Sequence, residues 1–171
     1  MAELPLFGEH EIAFLAALRA ARVEFLVVGL SAAALQGAPV VTRDVDLWVS
    51  NVADDKFLAV LKRFGAAYVP PVGLNPPMIV GKRIDMFDLV VSMQGLNSFA
   101  AEYRRSREIK VGTTTVRVLP LDRIIASKRA VNRPKDRAVL PVLEDVLRTI
   151  KEARPSHYVV SPRKKTRAKA K

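Results

Sequence analysis

The chain has 171 residues, half of them apolar, so it is long enough for one domain with a substantial hydrophobic core. It has no cysteine, which excludes disulfides, a thiolate zinc site and a cysteine nucleophile. The two histidines, His10 and His157, lie at opposite ends of the chain, which argues against a histidine-based metal cluster. The net charge is +11, and six of the positive charges fall in the last nine residues.

This basic terminus cannot bury apolar area, so we predict a globular domain over residues 1–155 and a disordered tail over 156–171. The tail would act either as a solubilising segment or by attracting nucleic-acid phosphates without sequence specificity. The acidic start of the chain does not resemble a signal peptide. The longest uncharged stretch, 25–41, is broken by glycine and proline, so we expect a cytoplasmic protein without a membrane span.

In chain order, the apolar spacing predicts an amphipathic helix over 9–22, a short strand over 24–29 and a helix over 31–36. A strand over 44–50 and a helix over 53–64, with Asn51 as its N-cap, come next. Residues 69–77, with four prolines and a glycine, should form an irregular loop.

The remainder is predicted as a strand over 83–91, a helix near 98–104, a hairpin of 107–111 with 114–118, and helices over 120–130 and 134–152. Pro134 suits the first turn of the last helix, and Asp136 suits the positive end of its dipole. This order predicts an α+β fold with a mixed β-sheet flanked by helices.

Asp44 and Asp46 open the strand that follows the small-residue turn at Gly29. Residues two apart on a strand project from the same face, so these carboxylates point together while Val45 and Leu47 point into a core. Two neighbouring carboxylates repel each other, and a divalent cation between them relieves that repulsion. The segment therefore favours metal-dependent phosphoryl chemistry.

A third carboxylate is expected on the strand over 83–91. Asp85 and Asp88 are three residues apart, so only one of them can share the face of the aspartate pair. Asp85 lies between apolar Ile84 and Met86, as Asp46 lies between apolar neighbours, and we favour it, with Asp88 as the alternative. Three carboxylates can hold two Mg²⁺ ions about 3.5–4 Å apart, an arrangement suited to in-line displacement at phosphorus.

These residues resemble the nucleotidyltransferase superfamily, which has the polymerase-β-like fold, and most nearly its minimal and toxin-type (AbiEii-like) bacterial members. The shared pattern is Val28-Gly29, a spacer, Asp44-Val45-Asp46-Leu47 and Ile84-Asp85-Met86, with Thr42 two residues before the pair. The segment from Leu121 to Asp136, with its Lys-Arg and Arg-Pro-Lys-Asp runs, also resembles that family.

The resemblance implies transfer of a nucleotide from an NTP to an acceptor hydroxyl, with two Mg²⁺ ions as cofactor. It implies that Asp44, Asp46 and Asp85 are catalytic and hold the metal. The residues implied to bind the nucleotide are Gly29, Ser31, Thr42 and Lys128. The implied partners are the NTP, an acceptor such as RNA or tRNA, a protein or a small molecule, and, for a toxin, a cognate antitoxin protein.

Two positions depart from the family pattern. Leu30 stands where the family has Gly or Ser, and Val40 stands where it often has Arg. Both changes concern nucleotide binding, so the alternatives are a catalytically silent nucleotide- or partner-binding module and a basic nucleic-acid-binding protein. Several of the candidate residues also have ordinary structural interpretations: Ser31 as an N-cap, Thr42 as a strand former and Trp48 as core.

Overall fold

The computed structural model describes residues 7–153, and the predicted tail over 156–171 and the first six residues lie outside that range. The elements run in the order α1 (Glu9–Ala20), β1 (Phe25–Val28), α2 (Gly29–Leu35), β2 (Val45–Val49), α3 (Asp55–Arg63), β3 (Ala67–Val69) and β4 (Met78–Val80). They continue with β5 (Phe87–Val90), α4 (Phe99–Arg105), β6 (Arg107–Val111), β7 (Thr114–Val118), α5 (Leu121–Val131) and α6 (Pro134–Glu152).

The main sheet has five strands in the order β5-β2-β1-β7-β6. β1 pairs antiparallel with β2 and parallel with β7, while β2 pairs parallel with β5, so the sheet is mixed. The central strand β1, Phe-Leu-Val-Val, is buried along its whole length, as its uninterrupted apolar sequence requires. β3 and β4 form a separate two-stranded sheet.

Helices cover this sheet and close the core. α1 packs against β7 and α3, α2 packs against β1, β2 and α5, and α5 packs against α6. Phe14 of α1 contacts the rings of Phe64 and Phe87, with centroids 5.3 and 4.9 Å away, and so joins the two sides of the core. None of the helices between residues 7 and 153 is long and apolar enough to cross a membrane.

The α+β architecture, a mixed sheet flanked by helices, is confirmed, and the hairpin of β6 and β7 has the predicted bounds. Three details were wrong. The strands β3 and β4, which flank the proline-rich loop, were not predicted. The N-cap of α3 is Asp54, whose side chain accepts from the Lys56 N–H, rather than Asn51. The strand predicted over 83–91 begins only at Phe87.

Candidate functional site

Gly29 and Asp46 meet where β1 ends and α2 begins. Val28 pairs with Asp46 across the antiparallel β1–β2 ladder, which places the next residue, Gly29, beside the Asp46 side chain. A Cβ atom at Gly29 would lie 2.1 Å from Asp46 Oδ2, and the glycine has φ +64°. Any larger residue would therefore strain the backbone and collide with the carboxylate. Glycine here makes room for Asp46 itself.

Asp88, rather than Asp85, is the carboxylate that lies next to Asp46. The parallel register of β2 and β5 pairs Asp46 with Asp88, and the flanking residues Val45 and Phe87 are buried together. Asp85 is exposed in the turn before β5. Our preference for Asp85 was therefore wrong about placement: its apolar neighbours belong to a turn, in which strand alternation does not apply.

The charges around Asp46 favour its protonated form. Burial, followed by the nearby charge of Asp88, raises the pKa of the Asp46 carboxyl from 3.8 to about 6, with a smaller contribution from Asp44. Burial and Asp44 also raise the pKa of Asp88. Lys128 and Lys135 act in the opposite direction on Asp46 without cancelling the effect. The acidic cluster of Asp44, Asp46 and Asp88 thus carries excess negative charge and favours a cation.

A cationic wall faces this cluster from α5 and the start of α6. Lys128 Nζ lies 3.1 Å from Asp136 Oδ1, and Arg133 Nε lies 2.7 Å from Asp136 Oδ2. Asp136 is 1% exposed, and its second contact with Arg133, at the backbone N–H, completes a capping box at the start of α6. The hydrogen bonds from Arg133 and Lys128 lower the pKa of Asp136 to about 2.

Asp46 of the acidic cluster and the cationic wall border one open pocket of about 430 Å³. Its floor is formed by Gly29, Asp46 and residues of α5, and the loop after β5 forms the remaining side. The lining residues are Val28, Gly29, Asp46, Val90, Ser92, Met93, Gln94, Ile124, Ser127, Lys128, Val131, Arg133 and Asp136. A pocket with a carboxylate on one side and fixed cations on the other suits a ligand that brings both phosphates and a metal ion.

The loop wall is fastened to α5 at two points. A Cβ atom at Gly95 would lie 2.5 Å from the Ala130 Cβ, so only glycine permits this close packing of the loop on the helix. Glu102, which is fully buried, receives two hydrogen bonds from Arg123 of α5, at 2.6 and 2.9 Å, and one from the Asn97 N–H. The two walls of the pocket are therefore held in a fixed relation.

No protein-family model matches the chain, and no curated protein matches its sequence. Among solved structures, the chain is similar to the crystal structure of ANT(2'')-Ia, an aminoglycoside nucleotidyltransferase, in complex with adenylyl-2''-tobramycin. The similarity covers 81% of this chain and 87% of that chain, with a TM-score of 0.55 and 14% sequence identity. The chain has a nucleotidyltransferase-like fold. At this identity the likeness concerns the fold alone and does not extend to the toxin-type subgroup.

Within this nucleotidyltransferase-like fold, two predicted nucleotide-binding residues lie off the pocket. Ser31 is fully buried inside α2, where its hydroxyl donates to the Val28 carbonyl at 3.0 Å, so it is neither the N-cap of α2 nor an exposed phosphate contact. Thr42 donates to the Asp44 carbonyl at 2.9 Å and shapes the loop that leads into β2. The other two predicted nucleotide-binding residues, Gly29 and Lys128, both line the pocket.

Trp48 and Leu30 both lie outside the pocket lining. Trp48 is a core residue, 4% exposed, in a T-shaped contact with the Phe99 ring, and its indole N–H donates to the Val91 carbonyl at 3.3 Å. Leu30 is the second residue of α2 and does not line the pocket formed by the described residues.

The sequence predicted Asp136 only as a residue suited to the start of the last helix and did not predict its contact with Arg133. The spacing Arg133-x-x-Asp136 at a helix start was the signal available for their contact.

Proposed function

We propose that this chain is a divalent-metal-dependent nucleotidyltransferase whose centre is the acidic cluster. The observation that supports this most directly is the position of Asp46, packed against Gly29, next to Asp88 and across the pocket from Lys128. A half-buried carboxylate among like charges costs stability that a purely structural residue would not require. The fold is also that of an enzyme that transfers nucleotides.

The donor set fits Mg²⁺. Between residues 7 and 153, no three His, Cys, Asp or Glu side chains are gathered into a complete metal-ligand set. Mg²⁺ does not need one, because it usually takes one or two carboxylates and completes its shell with water and substrate phosphates. Asp46 would hold the metal together with one of its neighbours, Asp44 or Asp88, and Asp88 would take the place predicted for Asp85. When bound, the metal would neutralise charge on the phosphates.

The residues of the chain have separate tasks in the proposed transfer. Lys128 and Arg133 bind phosphate oxygens of the NTP, and Asp136 fixes where these two cations point. The acceptor hydroxyl oxygen attacks the α-phosphorus, the bond from that phosphorus to its bridging oxygen breaks, and pyrophosphate leaves. Asp88, whose carboxyl pKa is raised first by burial, would take the hydroxyl proton. Most of the rate gain would come from positioning and charge neutralisation.

The acceptor and the biological role are the finer part of the proposal. RNA or tRNA, a protein hydroxyl and a small molecule remain the acceptor classes, since no contact within the described residues selects among them. A role as the toxin of a toxin–antitoxin pair, with a cognate antitoxin protein, and a cytoplasmic location rest on the sequence resemblance alone. The structural neighbour was solved with an adenylylated aminoglycoside, and that substrate is a property of the neighbour.

The silent-module alternative loses its main support. It depended on Leu30 obstructing the phosphates, yet Leu30 lies on α2 outside the pocket lining. The alternative based on the basic tail concerns residues 156–171, which lie outside the described residues. Leu30 therefore gives no structural reason to prefer binding without turnover.

The test is transfer of label from each α-³²P-NTP, with Mg²⁺, to total cellular RNA, to the protein itself and to a panel of hydroxyl-bearing small molecules. An Asp44→Ala/Asp46→Ala variant serves as the control. We expect label on one acceptor class with one preferred NTP, lost in the variant and lost on chelation. Label that persists in the variant would overturn the proposal, as would NTP binding that is intact and insensitive to Mg²⁺.

A further inference from the structure

A second pocket, of about 370 Å³, lies at the end of β1 opposite Gly29. It opens where β1 and its parallel neighbour β7 begin, and it shares no lining residue with the Asp46 pocket. We call it the arginine pocket. Its lining residues are Arg19, Arg22, Val23, Glu24, Phe25, Tyr103, Glu108, Thr115, Val116 and Arg117. The transfer proposed above uses none of them.

Uncharged groups hold two of the three arginines in place. Arg117 lies over the ring of Tyr103, with its guanidinium carbon 4.8 Å from the ring centroid, and donates to the Ser106 hydroxyl at 3.1 Å. Arg19 donates to the Thr115 carbonyl at 2.7 Å. A guanidinium fixed by neutral partners keeps its charge and its remaining donors for a ligand.

The carboxylate of Glu108 forms a weak ion pair with each of these two arginines. Glu108 Oε1 is 3.8 Å from Arg19 and 3.6 Å from Arg117, beyond hydrogen-bond distance, and its side chain is 49% exposed. Such pairs contribute little and are easily displaced in water. Three guanidinium groups and two carboxylates, Glu24 and Glu108, line the pocket, so its lining carries one net positive charge.

Arg22 supplies the third cation at a backbone position that favours glycine. It has φ +57° and follows the last turn of α1, where its N–H donates to the Arg19 carbonyl and the Val23 N–H donates to the Leu18 carbonyl. This is a Schellman end, whose left-handed residue is usually glycine because other residues are strained there. Arginine at this place costs stability that glycine would not, so its side chain needs a separate explanation.

The helix dipole alone does not supply that explanation. Cations are favourable near a helix C-terminus, which accounts for Arg19 in the last turn of α1. It does not account for strain at Arg22, because a backbone cap already satisfies the end of the helix. The same cap pairs the Leu18 and Arg19 carbonyls, so these oxygens do not compete for the pocket's guanidinium groups.

We propose that the arginine pocket is a phosphate-binding site, separate from the Asp46 pocket, in which Arg19, Arg22 and Arg117 contact the phosphate oxygens. Guanidinium groups bind phosphate in two-pronged geometry, and three of them line this pocket together with Glu24 and the weakly held Glu108. The phosphate is either part of a nucleic-acid backbone or carried by a small phosphorylated molecule. The site is independent of catalysis, so its failure would leave the transferase proposal unchanged.

The test compares Arg22→Gly with Arg63→Ala in the full chain. Arg22→Gly removes the charge and relieves the backbone strain, so we expect its melting temperature to be unchanged or higher, which separates lost binding from lost folding. Arg63 is an exposed arginine at the end of α3, outside the arginine pocket, and its variant makes the same change in charge. Any contribution from the basic tail is common to all three proteins.

Two probes separate the sources of phosphate. The first is a fluorescein-labelled ten-nucleotide oligouridylate, followed by anisotropy over a range of salt. The second is inorganic phosphate, followed through the arginine Nε–Hε resonances in NMR spectra.

If the ligand is a nucleic acid, Arg22→Gly should weaken oligouridylate binding roughly tenfold more than Arg63→Ala and flatten the salt slope by about 0.7. If it is a small phosphorylated molecule, oligouridylate binding should change equally in the two variants, while inorganic phosphate shifts the Arg19 and Arg117 resonances, with a weaker response in Arg22→Gly. Equal behaviour of the two variants with both probes would overturn the proposal.

Discussion

Asp46 and Asp136 border the same pocket, yet their surroundings are opposite. Asp136 is 1% exposed and is held by Lys128 and Arg133, and its pKa falls to about 2. Asp46 is half-buried beside Asp88 and Asp44, and its pKa rises to about 6. The first carboxylate has all the partners it needs within the chain, whereas the second has neighbours of its own charge.

The electrostatic environment separates these two carboxylates more clearly than burial does. Asp136 is the more deeply buried, so burial alone would select it as the unusual residue. Lys128 and Arg133 neutralise the charge of Asp136, which in turn positions these two cations at the pocket. The repulsion between Asp46 and its neighbouring carboxylates is only partly offset by nearby lysines. A metal ion with its bound phosphates would offset the rest.

The largest effect should come from removing one of the like charges around Asp46. We expect Asp88→Asn to reduce transfer activity on the order of 10²–10³-fold, as loss of one charge-stabilising group does in other active sites. The change should also lower the pKa of Asp46, because Asp88 is the neighbouring charge that raises it most. Steady-state kinetics and ¹³C NMR titration of labelled aspartate measure the two effects.

Asp85→Asn is the matched control, since it makes the same chemical change three residues earlier in the chain. Asp85 lies in the turn before β5, outside the pairing that brings Asp88 beside Asp46, so its variant should stay within about twofold of the parent in activity. If Asp85→Asn were as inactive as Asp88→Asn, the role proposed for Asp88 beside Asp46 would be wrong.

The choice between Asp85 and Asp88 shows where the sequence stops being informative. The alternation of Val45, Leu47 and Val49 was enough to place Asp46 on an edge of the core, because period-two burial is a local property. Whether Asp85 or Asp88 lies beside Asp46 depends on where β5 starts and on its register with β2. Those are fixed by long-range pairing, and residues 82–86 have apolar members but form a turn.

The same limit applies to the cationic wall and to Ser31. Lys128 and Arg133 come from two helices that meet at a sharp turn around Asn132, so their shared contact with Asp136 needed the helix packing to be known. Ser31 had the right distance from Gly29 in the sequence, but α2 begins directly at Gly29 and turns the hydroxyl back to Val28. A side chain's direction depends on the element boundary, and boundaries are the least predictable part of a chain.

Substitution of Asp136, whose carboxylate is paired with Lys128 and Arg133, should have an intermediate effect on stability and on KM. Asp136→Asn leaves Lys128 and Arg133 without their anion, and should lower the free energy of unfolding by about 2 kcal/mol. That is less than for a fully buried pair, because Arg133 is 55% exposed. Since the two cations are then free to move, KM for the NTP should rise roughly tenfold with a smaller change in kcat. Urea denaturation and initial-rate kinetics test the two parts.

Glu144→Gln provides the comparison for that variant. Glu144 pairs with Arg129 on the surface of the same two helices, at 2.7 Å with both side chains more than a third exposed. Its loss should change the free energy of unfolding by no more than about 0.5 kcal/mol and leave KM unaltered. If Asp136→Asn were as stable as Glu144→Gln, the buried carboxylate would not be holding the cationic wall together.

The smallest effect, and the one specific to the unsatisfied carboxylate, is a gain in stability. In metal-free protein at pH 7.5, Asp46→Asn should melt about 2–4 °C above the parent, because it removes a charge that its neighbours repel. The folded carboxyl takes up its proton near pH 6 and the unfolded one near 3.8, so lowering the pH between these values stabilises the parent but not the variant. The difference should therefore shrink by pH 4.5.

Asp136 should show the opposite dependence on pH. Its contribution to stability is complete above about pH 4 and is lost as the pH falls toward 2, so the difference in stability between Asp136→Asn and the parent should not change between pH 7.5 and 4.5.

A bound metal should reverse the order of the melting temperatures of Asp46→Asn and the parent. With saturating Mg²⁺ and NTP at pH 7.5, the parent should melt above Asp46→Asn, because the bound metal stabilises the parent and not the variant. If Asp46→Asn were less stable than the parent in metal-free buffer, Asp46 would be a satisfied structural residue like Asp136, and the contrast between the two carboxylates would fail.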